Sequence, residues 1–330
     1  MSNDIDGIGL ATVDLMANIT HEVHDLSLRP VGYGGYSDIY KAVWRSPYGD
    51  MQVAVKVIRT LPMPPGLDNM PRVLRREISV WKKLLHRNIH IMCGFYEGYG
   101  SAPALVSPWY ENGDINSYVR RHAADPNVDM LKFRLFADIM NGLKFLHDHC
   151  IIHGDIKGGN VLISDDNVAR LCDFGLSRLL LEHSQSITHT GVKGTSRWMA
   201  AELLLVDGAQ HSYATDIWAS GCLLIEVWSD VLPYHTKANN HQVILALSRE
   251  ELPSRPDNMP DVTWTIVVAC CNFVAKDRTS PSHLAAFISH HLIIHRVYGM
   301  VSEATSNLNH IFNPWRSHSG AQSTYVDRIF

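Results

Sequence analysis

The stretch that decides the fold is residues 153–175, which read HGDIKGGNVLISDDNVARLCDFG. Two apolar runs rich in β-branched residues, Val161–Ile163 and Val168–Cys172, lie within it on either side of a Ser-Asp-Asp-Asn turn. Apolar runs separated by a turn of this composition predict a β-hairpin. We expect Asp166 and Asn167 to form its two-residue loop.

This hairpin brings two polar residues together at its open end. With a two-residue loop, antiparallel pairing places Asn160 opposite Asp173. Carboxylate and amide oxygens are hard ligands that suit Mg²⁺, so the two residues form a candidate metal site. Taken alone, however, Asn and Asp at strand ends are more often simple turn formers.

The loop before the hairpin adds charged groups to the same end. Asp155 and Lys157 precede Asn160 in the connection between a predicted long helix and the hairpin. A carboxylate base, a cation and a metal ligand in one cleft suit phosphoryl transfer, in which positioning and charge neutralisation do most of the catalytic work. Gly175, directly after Asp173-Phe174, allows the chain to turn sharply.

Two ionic residues upstream occupy otherwise apolar patterns. Lys56 lies in Val53–Ile58, a run that is apolar on both faces of a strand, and Glu77 shares helical stripes with Val73 and Val80. A buried charge is costly unless it is paired, which favours a Lys56–Glu77 ion pair between strand and helix. On these two residues alone the alternative is equally good: Lys56 extends to solvent and Glu77 lies on the flank of its helix.

A glycine-rich run, Val31–Ile39, lies between two predicted strands. Its backbone amides could approach phosphates closely, although glycines between strands more often mark a tight hairpin. Because the run precedes a strand rather than a helix, it does not fit a dinucleotide-binding motif.

The composition is that of a globular chain without an extended charged surface. The 330 residues are 46% hydrophobic with a formal net charge of −4, and basic residues concentrate only at Arg72–Arg87. We therefore expect no nucleic-acid or membrane surface. The six cysteines form no Cys-x-x-Cys pair, the N-terminus lacks a signal pattern, and no apolar run approaches the ~18 residues of a membrane helix. These features predict a soluble, cytoplasmic protein.

Predicted strands come first along the chain and predicted helices later. The strands are Leu26–Val31, Ile39–Trp44 and Gln52–Ile58, with a hairpin tip at Tyr48–Asp50. The helices are residues 72–85, Met130–His149 and Ala214–Ser229, and the last is apolar enough to be central. This order predicts an α+β fold with two lobes, a small β-rich lobe followed by a larger α-helical lobe.

The motifs, in this order, resemble those of the eukaryotic protein kinase family: a glycine-rich hairpin, Val-Ala-Val-Lys, a helix Glu, His-x-Asp-x-Lys-x-x-Asn and Asp-Phe-Gly. Further matches are Gly194–Glu202, Asp216–Gly221 and Lys276–Arg278, so the likeness covers roughly residues 26–290. The Trp-Met-Ala run and the Asp-x-Trp-x-x-Gly helix are most similar to the tyrosine-kinase-like group. Lys157 and Thr195 are typical of Ser/Thr specificity within the family.

The resemblance implies a catalytic role for each matched residue. Lys56 would hold the α- and β-phosphates of ATP, with Glu77 fixing it. Asp155 would orient the substrate hydroxyl or accept its proton, and Lys157 would neutralise the γ-phosphate. The implied Mg²⁺ ligands are Asn160 and Asp173.

The resemblance also implies the nucleotide pocket and one structural ion pair. Ser107 falls at the gatekeeper position, and Pro108 and Tyr110 would offer backbone groups to adenine. Glu202 would pair with Arg278 to anchor the activation segment. The residues implied to bind the nucleotide are Gly32, Gly34, Gly35, Ser37, Ile39, Ala54, Lys56, Ser107, Pro108 and Tyr110.

The implied domain organisation has three parts. An N-terminal extension, residues 1–25, precedes a kinase domain at 26–290, and a tail follows at 291–330. Within the domain, the N-lobe is expected at 26–107, the hinge at 108–110 and the C-lobe at 111–290.

Three residues depart from the family pattern. Ser37 stands where the third glycine usually lies, and Ala201 replaces the usual proline, both small changes. Gly154 replaces the arginine that normally grips a phosphorylated activation loop. We therefore expect activity that does not depend on phosphorylation of the segment Asp173–Glu202.

Two other functions share part of the pattern. Small-molecule kinases of the aminoglycoside and choline type share His-Gly-Asp-x-x-x-x-Asn but lack the Gly-Thr-x-x-Trp-Met-Ala segment. A pseudokinase that binds ATP as a scaffold usually lacks the strand Lys, the catalytic Asp or the metal Asp, and all three are present here. We therefore predict an ATP- and Mg²⁺-dependent Ser/Thr kinase that acts on proteins.

Overall fold

Most of the strands precede the helices along the described part of the chain. The structure, a computed structural model, describes residues 17–34, 37–46, 49–59, 84–99, 103–174 and 195–312. The strands are β1 (Val23–His24), β2 (Gly32–Tyr33), β3 (Ser37–Ser46), β4 (Gly49–Ile58), β5 (Gly94–Tyr96), β6 (Ala104–Pro108), β7 (Val161–Ile163) and β8 (Ala169–Leu171). The helices are α1 (Ile115–Arg121), α2 (Val128–Asp148), α3 (Ala201–Leu205), α4 (Tyr213–Ser229), α5 (Asn240–Ser248), α6 (Asp261–Cys270) and α7 (Pro281–Phe312). The predicted α+β fold, with a β-rich N-lobe and a helical C-lobe, is confirmed.

The N-lobe is one antiparallel sheet in the order β1-β3-β4-β6-β5, with β2 also paired to β3. The β3–β4 hairpin is its longest pairing and runs from Ser46 opposite Gly49 to Ser37 opposite Ile58. The two predicted strands in this region are therefore present and longer than expected. Gly49 was predicted at the hairpin tip but belongs to β4, because pairing continues as far as residue 49.

The strand predicted at Leu26–Val31 is absent, and β1 and β2 flank this segment instead. Ser27 and Val31 each donate one backbone hydrogen bond to β3. Between them, Leu28 is 99% exposed. Pro30 cannot donate to a strand ladder, which explains why regular pairing is interrupted here.

An N-terminal segment, Ala17–His24, covers both edges of the sheet. Ile19 N donates to Phe95 O at 3.0 Å and Phe95 N donates to Ala17 O at 3.2 Å, while Val23–His24 pairs with β3 at the opposite edge. The segment thus contacts the sheet both through β1 and through the residues beside β5. We therefore propose that the N-lobe extends before residue 26, at least as far as Ala17.

Gly94→Ala should dislodge this segment and lower the free energy of unfolding by ~1–3 kcal/mol. A β-carbon on Gly94 would lie 2.7 Å from the backbone oxygen of Ala17 and 3.1 Å from the Ile19 side chain. Denaturant unfolding measures the effect. Gly159→Ala is the matched control, because a β-carbon there has nothing within 4 Å. Equal stability of the two variants would contradict the prediction.

The C-lobe is organised around α4. Its residues from Thr215 to Trp228 are all buried, as its apolar sequence predicts. A capping box begins the helix, with the Ser212 side chain accepting from Thr215 N. The long helix α2 buries the predicted stripe of Leu135, Ile139, Leu143 and Leu146. Both helix predictions are confirmed to within two residues.

Helix α7 continues through the predicted start of the C-terminal tail. Leu284, Ala285 and Ile288 are buried in the same core as α2, and the helix ends at Phe312. Among the described residues, no helix combines the length and apolar character needed to cross a membrane.

Candidate active site

The β7–β8 hairpin has a register one residue away from the prediction. Val161 pairs with Leu171, and Ser164 N donates to Val168 O at 3.0 Å, which leaves the three residues 165–167 in the loop. Asn167 has a φ of 62°, a left-handed conformation that asparagine tolerates, and this closes a three-residue loop. Cys172 N therefore donates to Asn160 O at 3.0 Å. The prediction that Asp173 lies opposite Asn160 was wrong.

Asp173 leaves the hairpin in a conformation that turns it towards the N-lobe. Its φ is 62°, and its Oδ1 lies 2.5 Å from the Nζ of Lys56 in β4. Burial raises the pKa of Asp173, but the charge and hydrogen bond of Lys56 outweigh burial and lower it. The structure thus joins a cation of the N-lobe to a carboxylate of the C-lobe. Glu77, the predicted partner of Lys56, lies outside the described residues.

Asp155, Lys157 and Asn160 form one hydrogen-bonded group in the loop before β7. Lys157 Nζ lies 2.6 Å from Asp155 Oδ2. Asn160 Nδ2 donates to both the backbone oxygen and Oδ2 of Asp155 at 2.7 Å. The amide nitrogen of Asn160 is therefore directed at Asp155, which leaves its oxygen as the atom able to bind a cation.

Asp216, at the start of α4, holds the loop that carries Asp155. Its carboxylate accepts from the backbone N–H groups of His153 and Gly154, both at 2.9 Å. His147 Nε2 lies 2.9 Å from the same carboxylate. Gly154 has a φ of 78°, which a glycine adopts without strain. Asp216 belongs to the Asp216–Gly221 motif in the sequence, but the motif alone did not predict this supporting role.

Glu226 is a second supporting residue, and sequence reasoning missed it. Its carboxylate accepts from Gly158 N at 3.0 Å, from Trp198 Nε1 at 2.8 Å and from Asn116 Nδ2 at 2.5 Å. A β-carbon on Gly158 would overlap the Asn116 side-chain amide, which would have to move away from Glu226. The signal was available, because Glu226 is a lone acid in the apolar part of α4.

A cavity between the lobes is lined by three of the predicted site residues, one each from the catalytic, nucleotide-binding and metal-binding sets. Lys56, Ser107, Asp173 and Phe174 line it, together with Cys172 and residues 90–92. Its N-lobe wall is formed by β4 and β6, which pair Ala54 with Ser107 and Val53 with Pro108. Tyr110 follows β6, and its ring packs edge-on against His90 at 5.1 Å.

The glycine-rich hairpin joins β2 to β3. Gly32 pairs with Ile39, and Gly34 N donates to Ser37 O at 2.7 Å. Ser37 is buried, and its hydroxyl lies 2.6 Å from the position that a β-carbon on Gly34 would occupy. The hydroxyl thus occupies the space that a side chain at residue 34 would enter. Gly35, predicted to contact the nucleotide, lies outside the described residues.

The implied ion pair between Glu202 and Arg278 is present. Arg278 Nη1 and Nη2 donate to the two Glu202 oxygens at 2.7 and 2.8 Å. The guanidinium also donates to the backbone oxygens of Ala214 and Asn272, and the Arg278 side chain is only 1% exposed. Residues 175–194 of the activation segment lie outside the described residues, so the expectation about its phosphorylation stays a prediction.

Comparisons with known proteins match most of this chain to a single family. The family model described as protein tyrosine and serine/threonine kinase matches residues 27–288. Cytokinesis protein sepH of Emericella nidulans is 30% identical over 244 residues, which is 73% of this chain and 17% of the relative. The probable serine/threonine-protein kinase kinX of Dictyostelium discoideum is 28% identical over 76% of this chain and 22% of the relative. The serine/threonine-protein kinase A-Raf of Sus scrofa is 27% identical over 76% of this chain and 40% of the relative. The chain thus spans less than half the length of each of these relatives.

Proposed function

The chain belongs to the protein tyrosine and serine/threonine kinase family, and from this premise we propose that it is a protein Ser/Thr kinase. It would transfer the γ-phosphoryl group of Mg-ATP to Ser or Thr hydroxyls of proteins. The observation that carries the proposal is the contact of Lys56 from the N-lobe with Asp173 of the C-lobe, beside the Asp155–Lys157–Asn160 group.

The donor set fits Mg-ATP. An aspartate oxygen from Asp173 and an amide oxygen from Asn160 are ligands that Mg²⁺ takes together with phosphate oxygens. Lys56 and Lys157 supply two cations for the phosphates. Bound Mg-ATP would supply the phosphoryl group and the charge of the metal ion. We therefore propose Asn160 and Asp173 as the magnesium ligands and the cavity beside Ser107 as part of the nucleotide site.

Asp155 is the proposed base or orienting group for the substrate hydroxyl. Its Oδ2 already accepts hydrogen bonds from Lys157 and Asn160, so the carboxylate is held at a defined place. A hydroxyl that donates to this carboxylate would have its oxygen aimed at the phosphoryl group. Lys157, 2.6 Å from the same oxygen, would stabilise the negative charge that is transferred.

Incubation with radiolabelled Mg-ATP and a generic basic protein, followed by phosphoamino-acid analysis, tests the proposal. We expect label on phosphoserine or phosphothreonine. Label on phosphotyrosine alone would overturn the specificity. Transfer only to a small metabolite would favour a small-molecule kinase, and nucleotide binding without any transfer would favour the scaffold alternative.

A further inference from the structure

A second ion pair joins the two lobes, and none of the motifs includes it. Lys41 lies in β3, and its Nζ donates to Glu111 Oε1 at 2.5 Å. The same Nζ lies 4.9 Å from the centre of the Trp109 ring, in the predicted hinge. An ammonium group over an aromatic ring is attracted by it, so Lys41 is held by two partners.

Glu111 begins a segment that is bound to the C-lobe. Asn112 Nδ2 donates to the backbone oxygen of Ser164 at 2.9 Å, and Ile163 N donates to the backbone oxygen of Gly113 at 2.9 Å. Both of these contacts are made by the β7–β8 hairpin of the C-lobe. The ion pair therefore links the N-lobe sheet to the C-lobe.

Both interlobe ion pairs leave the face of the sheet that forms the cleft. In the β3–β4 pairing, Lys41 lies opposite Ala54 and Ile39 lies opposite Lys56. Paired residues, and residues two apart in one strand, have their side chains on the same face. The four residues therefore form a square, with the lysines at opposite corners. Lys56 reaches Asp173 of the C-lobe, so this face is the cleft face. Ile39 and Ala54, at the other two corners, are predicted nucleotide contacts.

The Lys41–Glu111 pair lies nearer to solvent than the Lys56–Asp173 pair. Side-chain exposure is 31% for Lys41 and 68% for Glu111, against 18% for Lys56 and 35% for Asp173. The predicted nucleotide contacts therefore lie between an inner and an outer link of the two lobes.

We propose that Lys41 and Glu111 form a latch, a contact that holds the lobes together at the outer end of the nucleotide site and slows release of the nucleotide. This inference rests on the proposed kinase function and deepens it. A ligand enclosed between two lobes leaves from the open state, and any contact made only in the closed state lowers the population of the open state. An ion pair between the lobes is such a contact, because separating the lobes would separate its charges.

Lys41→Glu should speed the release of Mg-ADP about three- to tenfold, because it replaces an attraction between exposed charges by a repulsion of similar size. Glu111→Lys should have the same effect for the same reason. The exchanged pair, Lys41→Glu with Glu111→Lys, should release Mg-ADP within about twofold of the wild-type rate. Stopped-flow displacement of a fluorescent ADP analogue from the full chain, with Mg²⁺ present, measures these rates.

Arg45→Glu is the matched control, because it makes the same change of charge in the same strand. The partner of Arg45 is Asp25, 3.8 Å away, and both residues belong to the N-lobe, so this pair does not join the lobes. Release of Mg-ADP from this variant should stay within about twofold of the wild-type rate.

The exchanged pair separates a latch from direct attraction of the phosphates. If Lys41 acted by attracting the phosphates, Glu111→Lys would slow release, and the exchanged pair would release Mg-ADP as fast as Lys41→Glu does, because residue 41 stays acidic. Either result would overturn the inference, as would wild-type rates in both single variants or equal acceleration by Arg45→Glu and Lys41→Glu. A wild-type chain that binds no Mg-ADP in a calorimetric titration would instead overturn the proposed function itself.

Discussion

Asp155→Asn should lower kcat by about 10²–10⁴-fold while leaving the KM for Mg-ATP within about twofold. The carboxylate is the proposed acceptor for the substrate hydroxyl, and an amide cannot take that proton. The substituted side chain would have nearly the same shape, so nucleotide contacts on the Lys56–Asp173 side of the cleft should persist. Steady-state kinetics with a protein substrate, with kcat and KM determined separately, measures the effect.

The control for this variant is Asp165→Asn, the same chemical change in the exposed loop of the β7–β8 hairpin. It should leave kcat within about twofold. If Asp155→Asn kept more than a fifth of the wild-type kcat, Asp155 could not be the base. A parallel rise in KM for Mg-ATP would instead show that the side chain acts in nucleotide binding. Thermal unfolding of both variants checks that the weaker hydrogen bonds from Lys157 and Asn160 have not destabilised the protein.

Arg278→Met should lower the free energy of unfolding by about 3–5 kcal/mol. The guanidinium is almost fully buried and donates to both Glu202 oxygens and to two backbone oxygens. Methionine fills much of the volume but provides no donor, so the Glu202 carboxylate loses its partner. Buried acceptors without a donor carry a large desolvation penalty. Denaturant unfolding at neutral pH gives the difference directly.

A matched pair on the surface isolates the effect of burial. Arg120 donates to both oxygens of Asp230 at 2.7 and 3.0 Å, but its side chain is 60% exposed. Arg120→Met should therefore destabilise the protein far less than Arg278→Met, because exposed ion pairs contribute little. Similar losses of unfolding free energy for the two methionine variants would show that the buried Glu202–Arg278 pair stabilises the protein no more than an exposed ion pair. When Arg278→Met is combined with Glu202→Gln, the loss in free energy of unfolding should be clearly smaller than the sum of the losses of the two single variants.

Elements with strong local patterns could be predicted from the sequence. The apolar stripe of α2, the apolar run of α4 and the β-branched strands β3 and β4 all occur within a few residues of the predicted positions. The reason is local, since side-chain periodicity and β-propensity act over neighbouring residues of the same element. The order of the motifs likewise identified the family before any contact was known.

Register and edge pairing could not be predicted in this way. The β7–β8 register depends on Asn167 adopting a left-handed conformation, and a shift of one residue there moved Asp173 away from Asn160. The covering of the sheet by Ala17–His24 depends on Phe95, far along the chain. The first choice is made by the backbone conformation of a short loop and the second by a partner far along the chain, and neither leaves a periodic signal in the sequence.

By itself, the sequence determined the two-lobed α+β class, the kinase family and the identities of the candidate catalytic residues. Only the tertiary structure decided which partners those residues have: Lys56 with Asp173, Gly158 with Glu226, and the loop of Asp155 with Asp216. The physical reason is that motifs and periodicity record which side chains are needed and which face they occupy. Hydrogen bonds and ion pairs between distant segments form only after packing has removed water and set their distances.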